Sequence, residues 1–206
     1  MKVLDARFVT SAVDAAGIPK DGIPHIALVG RSNVGKSSLL NALAKRGVAR
    51  TSAAPGKTRL ANLYRLQVEG GPGGPGHPGG TGRWSVYLAD LPGYGYARGG
   101  AASVTELAQI AREYFESDHA TAGVLHLVDA RHPGLAADLD AAMWLQSLGV
   151  ERTVIATKID KLSRNERTKN LRELERQLGM AALPLSAVSG EGLDDLWTLI
   201  ARLSRR

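Results

Sequence analysis

The chain has 206 residues, 44% of them hydrophobic, no cysteine, and a formal net charge of +6. That length supports one α/β domain with its own core and leaves little room for a second. Disulfides and thiolate metal sites are excluded, no run approaches the ~18 apolar residues of a membrane span, and residues 1–10 lack the apolar stretch of a signal peptide, so a soluble cytoplasmic protein is expected.

The first predicted strand is His25–Val29, an apolar run closed by Gly30, with a helical pattern from Lys36 to Ala44. Leu60–Val68 alternates loosely as a strand, and Trp84–Ala89 reads as its hairpin partner. Between them, residues 70–82 read GGPGGPGHPGGTG. That composition supplies neither a core nor a regular ladder, so an expanded, flexible turn is expected. A helical pattern over Ser103–Glu116 precedes a buried-type strand at Val124–Val128. Leu135–Ser147 reads as a helix, Thr153–Ala156 as a strand and Arg164–Leu178 as a helix. Leu183–Leu185 is a last short strand before a helix at Leu193–Leu203. Strands alternating with helices predict a parallel-dominated sheet with helices on both faces, within one domain over 1–206 whose core spans about 23–203.

Charge is uneven along the chain. Residues 1–65 carry 11 Lys or Arg against 3 Asp or Glu, whereas residues 66–206 are slightly acidic. A basic half attracts polyanions such as RNA by counterion release, and part of it is equally suited to a bound nucleotide.

Gly30-Arg31-Ser32-Asn33-Val34-Gly35-Lys36-Ser37 follows a strand and opens a helix. This GxxxxGK[ST] spacing in that context predicts a phosphate-binding loop. Its glycines allow close backbone approach, and the helix start adds a positive dipole end. Lys36 is expected to reach the β- and γ-phosphates and the Ser37 hydroxyl to ligate Mg²⁺. The loop alone leaves the base open.

Thr157-Lys158-Ile159-Asp160 follows the strand Thr153–Ala156. A carboxylate there can accept from both guanine N1–H and the exocyclic amine, a donor pair that adenine lacks, so Asp160 selects guanine. Lys158 can lay its stem along the base. Ser186-Ala187-Val188 after the last strand is placed to contact the guanine carbonyl through a backbone amide.

Two further motifs read as switches. Asp90-Leu91-Pro92-Gly93 puts a carboxylate at a strand end for Mg²⁺ and a glycine whose amide can meet the γ-phosphate. Pro55-Gly56-Lys57-Thr58 offers a threonine hydroxyl to Mg²⁺. Charge in the reaction would be stabilised by Lys36, Mg²⁺ and the amides of Thr58 and Gly93. Tyr94 stands where many GTPases carry a water-orienting glutamine, so slow intrinsic hydrolysis is expected. A P-loop kinase and a nucleic-acid-binding module with little hydrolysis are the rival readings.

The motifs GRSNVGKSSLLNAL, TSAAPGKTRLANLY, DLPGYGYA, VDARHPGLAAD and TKIDKL together resemble the EngB/YihA/YsxC family of bacterial GTPases, from about Phe8 to Leu203. The resemblance implies a P-loop GTPase fold: a mostly parallel six-stranded sheet with one antiparallel edge strand and helices on both faces. It implies a monomer that binds the large ribosomal subunit or its precursors, contacting ribosomal RNA and proteins, and a requirement in cell division and septation. By the family's pattern GTP contacts residues 30–37, Gly56, Lys57, Thr58, Arg59, Leu60, Asp90, Leu91, Pro92, Gly93, residues 157–160 and residues 186–188. Ser37, Thr58 and Asp90 form the Mg²⁺ side. The 70–82 segment is longer than the expected hairpin turn, and Arg59 and Arg98 are the switch positions expected to vary.

Overall fold

The computed structural model describes residues 1–12, 14–49, 61–71, 82–94, 101–117 and 121–205, with only the helical backbone given for residues 101–108. In chain order the strands are β1 (Lys2–Ala12), β2 (His25–Gly30), β3 (Ala61–Glu69), β4 (Arg83–Asp90), β5 (Thr121–Asp129), β6 (Arg152–Thr157) and β7 (Ala182–Pro184). The helices are α1 (Lys36–Ala44), α2 (Ala101–Glu116), α3 (Ala136–Ser147), α4 (Arg164–Leu178) and α5 (Leu193–Leu203).

The strands form one sheet in the order β1-β3-β4-β2-β5-β6-β7. The mostly parallel sheet expected from sequence is present, with one strand more than the six anticipated. The addition is β1, which pairs antiparallel with β3 from Lys2↔Glu69 to Ala12↔Ala61. β3 also runs antiparallel to β4, so among the described residues it is the one reversed strand, and β1 covers what would otherwise be its open edge. Register shifts between Val3 and Asp5 and between Phe8 and Thr10 bend β1 and disrupt its alternation.

The central strand β2 is buried along its whole length, as expected for a parallel strand with helices on both faces. On one face Leu39, Leu40 and Leu43 of α1, with Leu196, Trp197 and Ile200 of α5, pack against Ile26, Leu28, Leu88, Leu125 and Leu127. On the other, Tyr114 of α2 and Leu145 of α3 meet Ala27, Val29, Leu63 and Val124. Beside them Leu174 and Leu178 of α4 close over Val128, Val154 and Ala156. α4 is bounded by local chemistry: Ser163 and Glu166 form a reciprocal capping box, and Gly179 ends the helix at φ 68°.

The β3–β4 hairpin predicted from sequence is tied at its base, where the Gly70 amide donates to Gly82 O at 3.1 Å and the Trp84 indole N–H to Gly70 O at 2.9 Å. Residues 72–81 of the Gly/Pro segment lie outside the described residues. Among the described residues no helix is long and apolar enough to cross a membrane.

Candidate functional site

The parallel strands β2, β4, β5 and β6 end at Gly30, Asp90, Asp129 and Thr157, so the loops that follow them share one rim of the sheet. Ligands of open α/β sheets bind at that carboxyl rim.

The phosphate loop crosses from β2 into α1. Gly35 caps α1 at φ 116°, a conformation that L side chains rarely adopt, and among the described residues no side chain caps the helix start. The first-turn amides are therefore left for an anion. Lys36 is buried at 8% exposure, and its ammonium donates to Gly30 O at 3.0 Å and Arg31 O at 3.4 Å. Burial pushes its pKa down, and the nearby Asp90 carboxylate partly opposes that. Asn33 adopts φ 63°, and the Val34 amide donates to Arg31 O.

Asp90 is buried at the end of β4. Burial raises its carboxyl pKa, against the opposing influence of Lys36 and a hydrogen bond from Ser37. The Ser37 hydroxyl donates to Asp90 Oδ2 at 3.4 Å, while Asp90 Oδ1 is buried with no hydrogen-bond partner among the described residues. An orphaned carboxylate oxygen beside a serine hydroxyl is a hard-oxygen donor set, the chemistry Mg²⁺ takes. These two residues fit the metal; the third expected ligand, Thr58, lies outside the described residues, as do Gly56, Lys57, Arg59, Leu60 and Arg98. The entry to that segment is fixed by Asn41 of α1, whose amide group donates to Ala49 O and accepts from the Ala49 N–H, both at 2.8 Å.

Leu91 and Pro92 are buried and lead to Gly93, which lies against the phosphate loop: a Cβ there would come 2.8 Å from Ser32 N and 2.9 Å from Lys36 Nζ. The Ser32 amide donates to Tyr94 O at 3.1 Å. The Tyr94 side chain turns inward. Its hydroxyl donates to Asp138 Oδ1 of α3 at 2.9 Å and lies 2.8 Å from His126 Nε2 of β5. Arg31 Nε also donates to Asp138, at 3.2 Å. One phenol proton cannot serve both neighbours, so with Asp138 taking it the imidazole donates from Nε2 to the phenol oxygen. Burial makes that ring the neutral one, lowering the His126 pKa to about 3. Burial also pushes the Tyr94 phenol up. The tyrosine at the glutamine place is thus a half-buried link between loop, sheet and helix.

At the other end of the rim, the Thr157 hydroxyl is placed to donate to Val34 O at 2.8 Å and Val128 O at 3.0 Å, tying β6 to β5 and the phosphate loop. One proton serves one carbonyl at a time. Lys158, at φ 61°, sends its ammonium to Asn33 O at 2.6 Å and Asp129 Oδ2 at 3.0 Å. Ile159 is buried and holds the turn, its N–H donating to Leu185 O. Asp160 accepts from the Ser186 hydroxyl at 2.7 Å, and that hydrogen bond lowers its pKa. Ser186 Oγ in turn accepts from the Val188 and Ser189 amides at 3.2 and 3.1 Å, which shapes the turn carrying Ala187. Val188 itself is exposed.

The structure therefore brings residues 30–37, Asp90–Gly93, residues 157–160 and residues 186–188 to one rim. Sequence reasoning assigned no role to His126, Asp129, Arg131, Asp138 or Asn41. The signals existed: a histidine inside the apolar run of β5, and three charged residues within VDARHPGLAAD.

Residues 25–158 match the family model described as "50S ribosome-binding GTPase". The chain is 40% identical over 208 residues to a probable GTP-binding protein EngB of Anaeromyxobacter sp. strain K, covering 99% of this chain and 93% of that one. It is 38% identical over 218 residues to the probable EngB of Symbiobacterium thermophilum, covering 95% and 94%. Among solved structures, the fold resembles a point variant of Aquifex aeolicus Era bound to GDP and aluminium fluoride, with a TM-score of 0.69 at 24% identity over 89% of this chain and 58% of that one. It also resembles a probable GTP-binding protein engB, with a TM-score of 0.64 at 20% identity over 88% and 98%.

Proposed function

The chain belongs to the EngB family of GTP-binding proteins, with a GTPase domain over residues 25–158, and from that premise we propose that it is a slow GTP-hydrolysing switch acting in large ribosomal subunit assembly. The observation that carries this reading is the convergence of Lys36, the Ser37–Asp90 pair and Gly93 at one end of the rim, with Asp160 and Ser186 at the other. Triphosphate and guanine make complementary demands on those two ends.

The protein's own part in the chemistry follows from these groups. Lys36 exchanges its two carbonyl partners for phosphate oxygens. The α1 amides and the Gly93 amide stabilise charge on the γ-phosphate as water attacks. Ser37 and Asp90, with Thr58, are the residues that would hold Mg²⁺, which when bound neutralises phosphate charge. Asp160 accepts from guanine, and Lys158 lies along the base. Tyr94, with its hydroxyl engaged by Asp138 and His126, orients no water, so turnover is slow and a partner accelerates it.

The basic half, residues 1–65, supplies attraction for ribosomal RNA. We place the protein in the cytoplasm as a single-domain monomer, with a requirement in cell division downstream of assembly. The test is co-sedimentation with large-subunit precursors in a GTP analogue, in GDP and without nucleotide. Retention in the analogue alone is expected; equal retention in all three sinks the switch.

A further inference from the structure

Asp129 and Arg131 are charged residues at the site that the proposed mechanism leaves without a task. Asp129 ends β5, directly beside Thr157 of β6 in the parallel register, and is buried. Arg131 clasps its carboxylate, with Nε donating to Oδ1 at 2.9 Å and a terminal nitrogen to Oδ2 at 2.8 Å, and the Arg131 backbone N–H adds a third hydrogen bond to Oδ1. The second oxygen also receives the Lys158 ammonium at 3.0 Å. Burial works against the charged form, yet the hydrogen bonds from Arg131 and Lys158 prevail and hold the carboxyl well below the ordinary range. Asp129 is thus an anion throughout the physiological range, with a fork-shaped guanidinium fixing its orientation.

Lys158 has two demands on it. Its ammonium bridges β6 to the phosphate loop at Asn33 O, and its backbone and that of Asn33 both occupy the left-handed region at φ 61° and 63°. A long flexible side chain holds one rotamer only when its head group is trapped, and a carbonyl alone leaves other rotamers competitive.

We propose that Asp129 is a positioning residue for guanine binding: it traps the Lys158 ammonium against the phosphate loop so that the lysine stem forms a fixed floor for the base, and Arg131 holds Asp129 in the orientation that does this. The proposal rests on the guanine-nucleotide reading of the site. It adds a carboxylate and an arginine, one strand removed from the TKID motif, that set how long the nucleotide stays bound. Nothing in this role depends on the γ-phosphate, so GDP and GTP are held alike.

The experiment is stopped-flow release of fluorescent GDP and a fluorescent GTP analogue from the full chain, in a double-mutant cycle. Asp129→Ala speeds release of both nucleotides by about tenfold, the scale of one buried charged hydrogen bond left unmade. Asp129→Asn, which keeps one acceptor oxygen, falls between wild type and Asp129→Ala. Lys158→Ala also speeds release, and adding Asp129→Ala to it has no further effect, because the aspartate acts through the lysine. Wild-type release rates in Asp129→Ala, or losses that multiply in the double variant, overturn the proposal. Arg131→Ala changes a partly exposed side chain and serves should Asp129→Ala not fold: faster release of both nucleotides is expected, and an unchanged rate overturns the proposal as well. Wild-type protein that binds no guanine nucleotide at all instead overturns the reading beneath it.

Discussion

Gly93 and Ser32 are packed so closely that a Cβ on the glycine would stand 2.8 Å from the serine's amide nitrogen. The contact joins the loop after β4 to the phosphate loop through backbone alone. Gly93→Ala forces these loops apart, because the obstructing atoms are backbone and the Lys36 ammonium. The preference for a GTP analogue over GDP is expected to fall by about tenfold, measured by titration calorimetry with both nucleotides. An unchanged ratio removes Gly93 from the γ-phosphate.

Lys36 presents the opposite case, a buried side chain whose charged form the fold disfavours. Its ammonium is buried on two backbone carbonyls, and burial disfavours its charged form. Lys36→Met replaces it with an apolar chain of similar length. The nucleotide-free variant is expected to be at least as stable as wild type in urea, while nucleotide affinity falls by roughly a hundredfold or more. Loss of both together makes Lys36 a structural residue first.

The His126 imidazole gives the protein an acid sensitivity of its own. Its pKa is lowered from 6.5 to about 3 in the fold, chiefly by burial, so the folded state favours the neutral ring. A lowered folded value means that the stabilisation is complete above pH 6.5 and is lost as pH falls from there towards about 3. The slope is expected to be about half of 1.4 kcal/mol per pH unit near pH 6.5 and to approach that value below it, read from urea unfolding at pH 7, 6 and 5. His126→Gln, which keeps an N–H for Tyr94, is expected to flatten the slope.

Tyr94→Phe deletes a hydroxyl that both Asp138 and His126 use. Arg31 still reaches Asp138, so the carboxylate keeps one partner and the imidazole loses its own. A destabilisation of about 1–3 kcal/mol is expected from equilibrium unfolding. Hydrolysis should fall no further than the unfolding explains, because this hydroxyl is already engaged by Asp138 and His126.

With Asp160 as the proposed guanine acceptor, Asp160→Asn keeps one acceptor oxygen for the N1–H and turns the other into a donor facing the exocyclic amine. GTP affinity is expected to fall and xanthosine triphosphate, with a carbonyl where guanine has its amine, to become the better ligand in a competition assay. An unchanged preference removes Asp160 from base recognition.

The parts of this molecule legible in sequence are those whose function is local. The phosphate loop, TKID and the Asp90–Gly93 motif each fit within a few residues, so spacing alone exposed them. Helices α4 and α5 were legible to the residue because caps and apolar spacing mark their ends. β1 was not, because it lies at the sheet edge with exposed Arg7, Phe8 and Val9, and two register shifts break the alternation that announces a strand. The Tyr94 network was hidden for a different reason. His126 and Asp138 reach the tyrosine only through the folding of β5 and α3 around it, and a charged residue three positions into a helix reads as surface until the sheet is built. Thr157 lies between these cases: its position was legible, but its tie to Val34 and Val128 required the neighbouring strand and loop.

The antiparallel pairing of β1 with β3 sets an order on folding during synthesis. β1 is translated before β2 and α1, while the strand that receives it comes only after them. Until β3 emerges, β1 is a segment with unmet backbone donors and acceptors and an exposed phenylalanine, the kind of stretch that sticks to other nascent chains. Its flaws as a strand then become an asset. The irregularities at Leu4 and Val9, and the charges on Lys2, Asp5 and Arg7, make it a poor template for any partner but the one whose register matches them. The edge that sequence patterning failed to announce is thus also an edge poorly suited to recruit a stranger.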